Sequence, residues 1–247
     1  MTVAYTLDNM AAYRDSTGQS YWDLLREEVL AVDRDSEEGP GIWTKRKVDK
    51  LVGMDSFIRE SLRLDMAPAV GMVRKVEQKD GYTYSNGLHL KQGAFVGVPS
   101  LCINRDQDGI KGIENAEEFD GFRFSRPYQE LAKVDIDISA LRGVGKVSAT
   151  TTSDRYLTFG RGKHEWSVSL KMMSLQGTYG LPVVFSPGRF FAVWLVKMFL
   201  MHCVLNYELK PHERASEGYT LGKQKSHSDI KVKMRKRRES MQYNARG

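Results

Sequence analysis

Cysteine is nearly absent from this chain of 247 residues, which has only Cys102 and Cys203, far apart and without CxxC or Cys/His spacing. That excludes a disulfide framework and a structural zinc site, and it makes a reducing compartment the default. Long apolar runs are missing too. The longest, Phe190 to Leu205, is shorter than the roughly 20 residues that span a bilayer and contains Lys197 and His202, so a buried helix is expected there. The N-terminal stretch MTVAYTLDNMAAYRDSTG carries acidic and polar residues where a signal peptide or anchor needs an uninterrupted apolar segment, so no targeting segment is expected. There is no internal repeat.

What is present is an ordinary globular composition, 41% hydrophobic, enough for one sizeable core or two small ones. The net charge of +6 comes from 37 basic against 31 acidic residues, and much of the excess lies in KVKMRKRR at 231–238. Such a patch would give nucleic acid a salt-sensitive phosphate affinity, but Ile230, Val232 and Met234 alternate as a half-buried strand does, so no nucleic-acid partner is expected. The segment LRGVGKVS at 141–148 lacks the first glycine of a phosphate loop and has Val147 after its lysine, which rules that motif out.

Trp22, Leu25 and Val29 in WDLLREEVL recur at helical spacing, and EEGPGIW at 37–43 is a loop by its glycine and proline content. A second helix is expected to run unbroken from Thr44 through KRKVDKLVGMDSFIRESLRL, with Leu51, Met54, Ile58 and Leu62 as its apolar stripe. Residues 70–105 change to β-branched and aromatic types broken by Asp80-Gly81, Asn86-Gly87 and Gln92-Gly93, which predict short strands and hairpin turns. Residues 104–153 show no sustained period.

Glu60 and Arg63 lie three apart on the second helix and can pair there; taken alone, such a pair is a solvated surface feature. Its setting changes that. DSFIRESLRL is followed in order by VRKV, a glycine-rich hairpin, VPSLCINRD and EEFDGFRF, and this order resembles the haem-thiolate monooxygenases of the cytochrome P-450 family, in its fungal style. Glu60 and Arg63 match that family's ExxR motif. Arg123 takes the place of the arginine in its PERF-like motif, with Gly121 and Phe122 where the family has proline and an acidic residue. The resemblance implies a structural triad of Glu60, Arg63 and Arg123, a haem-propionate contact by Arg74, and an HRD-like turn at Asn104, Arg105 and Asp106.

The family's haem loop, FGxGxHxCPGRFFA, is present in two halves. FGRGKHE at 159–165 supplies the first and PGRFFA at 187–192 the second; between them stand residues 166–186, WSVSLKMMSLQGTYGLPVVFS, where the family has one cysteine. Ser186 occupies the seat of the iron ligand, and a serine hydroxyl is neither soft nor ionised at neutral pH, so it is no substitute for a thiolate. Neither Cys102 nor Cys203 is flanked by the loop. His164, two before that seat, resembles a propionate contact, and Arg161 and Lys163 resemble a basic face for an acidic reductase. The insertion has ends compatible with an intron translated in frame. A Trp166 codon split before its last G, and a Ser186 codon AGT, would rejoin as TGT, cysteine, and restore FGRGKHECPGRFFA. A real insertion that disables the site is the alternative.

The resemblance covers nearly the whole chain from about Met10, but only the C-terminal half of a family protein, and an oxygen-activating [AG]Gx[DE]T[TS]-like segment does not occur. It implies a mainly α fold with a small mixed β-sheet (α+β). Residues 1–66 are helices including the ExxR helix, 67–103 the small sheet, 104–158 irregular, 159–192 the interrupted loop, 188–205 the apolar helix and 206–247 a terminal strand with a basic tail. It also implies haem b as cofactor, an NADPH-dependent flavoprotein reductase as partner, and an apolar small-molecule substrate such as a terpenoid secondary metabolite. The full-length family sits at the endoplasmic reticulum membrane, whereas this chain, without an anchor, is expected in the cytoplasm. With no cysteine in place the chain as written is expected to be inactive; the other reading is a truncated, non-enzymatic remnant or interaction module.

Overall fold

The apolar stripe at 22–29 and the stripe on the ExxR helix need a common surface to bury against, and they find it in each other and in the apolar helix near residue 200. A computed structural model describes residues 2–35, 37–66, 69–106, 115–126, 148–154, 156–161, 188–213 and 231–237. Helix α1 spans Thr2–Ala12, α2 Tyr21–Arg34, α3 Lys45–Asp49 and α4 Val52–Ser61, the last passing into one π turn, Leu62–Met66. Strands β1 (Gly71–Lys75), β2 (Tyr82–Thr83), β3 (His89–Leu90) and β4 (Phe95–Val98) follow, then α5 (Ser100–Arg105). A long helix α6 (Gly188–Asn206), β5 (Tyr207–Leu209) and β6 (Met234–Lys236) complete the described elements.

Leu25 and Val29 of α2, Met54 and Ile58 of α4, and Leu200 and Val204 of α6 are all fully buried and form the centre of one core, to which Met10 of α1 adds. Each such side chain contributes roughly 1.5–3 kcal/mol by leaving water. The sequence stripe Leu51, Met54, Ile58, Leu62 is buried throughout.

Three expectations are corrected. The helix expected from Thr44 onward is two helices, interrupted at Lys50–Leu51, because the Glu28 carboxylate on α2 accepts from the Gly53 and Met54 N–H groups at 2.6 and 2.9 Å and so caps a new helix start. In place of one small mixed sheet, the described strands form three separate antiparallel pairs, β1 with β4, β2 with β3, and β5 with β6. Each pair closes around its own connection, so neighbouring strands run in opposite senses. The last strand starts at Met234, and its residues are all exposed rather than half-buried; Val232 packs partly on the core, and Ile230 lies outside the described residues.

The hairpin turns stand where their glycines are. Gly81, Gly87 and Gly93 have φ of 76°, 89° and 84°, a region that favours glycine; the Gly81 and Gly87 N–H groups close turns onto Gln78 and Tyr84, the Ala94 N–H closes the turn at Gly93 onto Lys91, and the Gly93 N–H donates across to the Val76 carbonyl.

Candidate functional site

Helix α4 and the π turn after it bring the sequence-predicted triad together in the interior. Arg63 grips the Glu60 carboxylate with two bonds, Nε to Oε2 and Nη2 to Oε1, both 2.8 Å. Both side chains are completely buried. Arg123 approaches from the 115–126 turn region and donates its Nε to Oε1 at 3.1 Å, and the backbone N–H of Asp120 donates to the same oxygen at 3.1 Å. Four donated bonds, two of them from one guanidinium fork, satisfy the oxygens of this buried carboxyl group.

The arginines are used beyond the ion pair. Nη1 of Arg63 donates to the carbonyls of Asn104 and Ala116, and Nη2 of Arg123 to those of Asn115 and Glu118. Segments far apart in sequence are thereby tied to one helix turn. Asn104 extends the network: its Oδ1 accepts from the Leu157 N–H at 2.8 Å, and its Nδ2 donates to Thr158 Oγ1 at 3.1 Å. Arg105 beside it donates to the Leu64 carbonyl. The end of α5, which holds Asn104 and Arg105 of the HRD-like motif, therefore joins the ExxR helix to the irregular stretch that leads to Phe159 and Gly160.

Gly121, where the resembled motif has proline, has a local reason. Its N–H donates to the Tyr21 hydroxyl at 3.0 Å, which proline could not do, and a Cβ there would lie 2.4 Å from Phe57 Cδ2 and 2.8 Å from Tyr21 Cε1. Burial pushes the Tyr21 hydroxyl up to about 12, so it stays protonated.

Arg59 had no place in the sequence reading. It is buried and lies between two rings, 3.8 Å from the Tyr156 centroid and 4.7 Å from that of Phe124, while Nη1 donates to the carbonyls of Ser148 and Thr151. Burial lowers its pKa. No signal in FIRESLR distinguishes it from a surface arginine, because both aromatic partners come from other segments. A third tie is the buried pair Lys197–Asp55 at 2.9 Å, which joins α6 to α4.

The other predicted residues are not brought to this centre. Arg74 is exposed on β1, its Nη1 donating to the neighbouring Val73 carbonyl, and it borders a shallow cavity of about 460 Å³ with Tyr82 and Tyr84. Arg161 is exposed and pairs with Asp154 at 2.7 Å. His164, Lys163, Ser186 and the whole segment 166–186 lie outside the described residues, as does most of LRGVGKVS. Helix α6 is long and apolar enough to cross a membrane by length and composition. It was expected to be buried, yet only one face is: Phe191, Leu195 and Phe199, spaced four apart, lie 58%, 52% and 42% exposed on the other.

Among the described residues no three His, Cys, Asp or Glu side chains group as a metal site. Cys203 faces the core of α6, where burial raises its thiol pKa away from the thiolate that binds iron, and Cys102 is exposed on α5, away from the loop halves in sequence.

No family model matches the chain. Its curated relatives are uniform. It is 33% identical over 202 residues, 82% of its length, to the cytochrome P450 monooxygenase avaH of Aspergillus versicolor. It is 28% identical over 96% of its length to gloP of Glarea lozoyensis, and 30% identical over 98% to cytochrome P450 monooxygenase 71 of Postia placenta. The chain belongs to the cytochrome P450 family, with fungal monooxygenases as its relatives. It spans 37–40% of the length of these three relatives.

Proposed function

We propose that the chain is the C-terminal portion of a haem-thiolate monooxygenase of fungal secondary metabolism, that it keeps the family's structural lock, and that it is inactive as written. The observation that carries this reading is the buried assembly of Glu60, Arg63 and Arg123, three residues at the family's motif positions bound to one another and to four backbone carbonyls. Such a lock holds the fold around a cofactor and performs no chemistry itself. In an intact member, haem b would activate O₂ with electrons from NADPH through a flavoprotein reductase, and the substrate would be an apolar small molecule such as a terpenoid. Arg74 and His164 would contact the propionates, and the endoplasmic reticulum membrane would be the site of the full-length enzyme.

Ser186 in the ligand seat explains the inactivity. It has no thiolate to donate, and neither Cys102 nor Cys203 replaces it. An in-frame retained intron accounts for the segment 166–186, and sequencing the mature transcript tests that: a message lacking the segment and encoding cysteine is expected, and one that retains it throughout would show a real insertion. At the protein level, reduced and carbon-monoxide-treated chain should lack the Soret band at the family's namesake wavelength. A band there from the chain as written overturns the proposed inactivity. The second reading, a non-enzymatic remnant that acts as an interaction module, draws on the exposed stripe of Phe191, Leu195 and Phe199 on α6.

A further inference from the structure

A cavity of about 410 Å³ lies between α2, the loop that follows it and the C-terminal half of α6, away from the Glu60 lock in both its residues and its chemistry. That volume falls within the range of roughly 300–1,000 Å³ typical of small-molecule sites. One wall is apolar, formed by Trp43, Met198 and Leu205 among others. The remaining lining groups of note are cationic or hydrogen-bonding: Arg26, His202 and Arg237.

The charges around the cavity are unevenly matched. Arg26 is fixed in place, with Nε donating to the Val204 carbonyl at 2.6 Å, Nη2 to the Tyr207 carbonyl at 3.1 Å and Nη1 to Asp23 at 2.9 Å. Glu208, the other carboxylate acting on it, is committed to Arg235 at 2.7 Å. Arg237 has no side-chain hydrogen bond or ion pair among the described residues, and its charge acts directly on Arg26. His202 uses its Nδ1 toward Asn206 and leaves Nε2 without a partner among the described residues. Three guanidinium groups, Arg26, Arg235 and Arg237, thus stand against two carboxylates, Asp23 and Glu208, and an apolar wall begins beside Arg26 and Arg237.

We infer that this cavity binds an amphipathic anion, a medium- or long-chain acyl carboxylate, with its head between Arg26 and Arg237 and its chain along Met198 and Leu205. A carboxylate supplies the missing negative charge and matches the guanidinium fork in shape. A bare inorganic anion would use the cations but leave the apolar wall wet, and a neutral alcohol would use the wall but leave Arg237 unpaired. The site does not depend on haem or on segment 166–186.

The experiment is calorimetric titration of the full chain with dodecanoate, dodecanol and inorganic phosphate below their aggregation limits. One-to-one binding of dodecanoate is expected, at least tenfold tighter than either comparator. Arg237→Glu should weaken it at least tenfold, because this exposed residue adds a like charge at the head position without touching the core. Lys75→Glu, which reverses an exposed cation on β1 that pairs with Glu77 and does not line the cavity, should leave it within about twofold. The inference is overturned if dodecanoate does not saturate, if dodecanol or phosphate binds as tightly, or if the two charge-reversal variants lose affinity equally.

Discussion

Replacing Glu60 with Gln removes one charge and almost no volume, so the change tests the electrostatics of the lock with little disturbance of packing. In the wild type the carboxylate accepts two bonds from Arg63, one from Arg123 and one from the Asp120 N–H. A glutamine oxygen can keep part of this set, but its amide nitrogen faces guanidinium donors, and the completely buried Arg63 loses the carboxylate charge that it grips with two bonds. Leaving buried charge unpaired costs about 3–5 kcal/mol, a large share of the roughly 5–15 kcal/mol of a whole domain. Urea unfolding of the full chain followed by tryptophan fluorescence should therefore show a much lower midpoint for Glu60→Gln at unchanged slope. Glu37→Gln breaks only the exposed Arg46 pair and should leave the midpoint in place. A loss below about 1 kcal/mol for Glu60→Gln would refute the view that this carboxylate holds the interior together.

Gly121→Ala should destabilise the chain by about 1–3 kcal/mol in the same assay, because the new methyl meets the buried rings of Phe57 and Tyr21 well inside contact distance; a neutral result would show that those rings shift freely. Burial pushes the Glu28 carboxyl up to about 7, against the lowering effect of its bonds from Gly53 and Met54. A carboxyl raised on folding contributes stability that is fully present below the unfolded value near 4.5 and is lost as pH rises through about 7. Wild-type thermal midpoints should carry that decline between those values, and Glu28→Gln should remove it; equal pH profiles for the two would contradict the assignment.

Much of this architecture was legible because it is local. The period of Trp22, Leu25 and Val29 marks α2, the glycines at 81, 87 and 93 mark the turns, and the apolar run near 200 marks α6. The Glu60–Arg63 pair is local as well, since three residues separate partners on one helix face. What stayed hidden depends on distant partners. The break at Lys50–Leu51 exists because Glu28, on another helix, caps Gly53 and Met54. Arg59 is interior because Phe124 and Tyr156 enclose it. The open face of α6 was invisible for a different reason: Phe191, Leu195 and Phe199 have the same composition whether covered or bare.

The relation between the lock and the interrupted loop follows from where their residues lie. Among the described residues, the hydrogen-bond partners of Glu60 come from residues 63–123, and Asn104 carries the network on to Leu157 and Thr158. The proposed ligand seat, between Glu165 and Pro187, lies outside the described residues. The bonds of the lock fix α4, α5 and the 115–126 turn to one another, and under the proposed function the chemistry belongs to a different part of the chain, the thiolate seat of the loop. Under that proposal, the separation is why the motifs for structure stay readable and paired in space in a chain whose loop motif is interrupted in sequence.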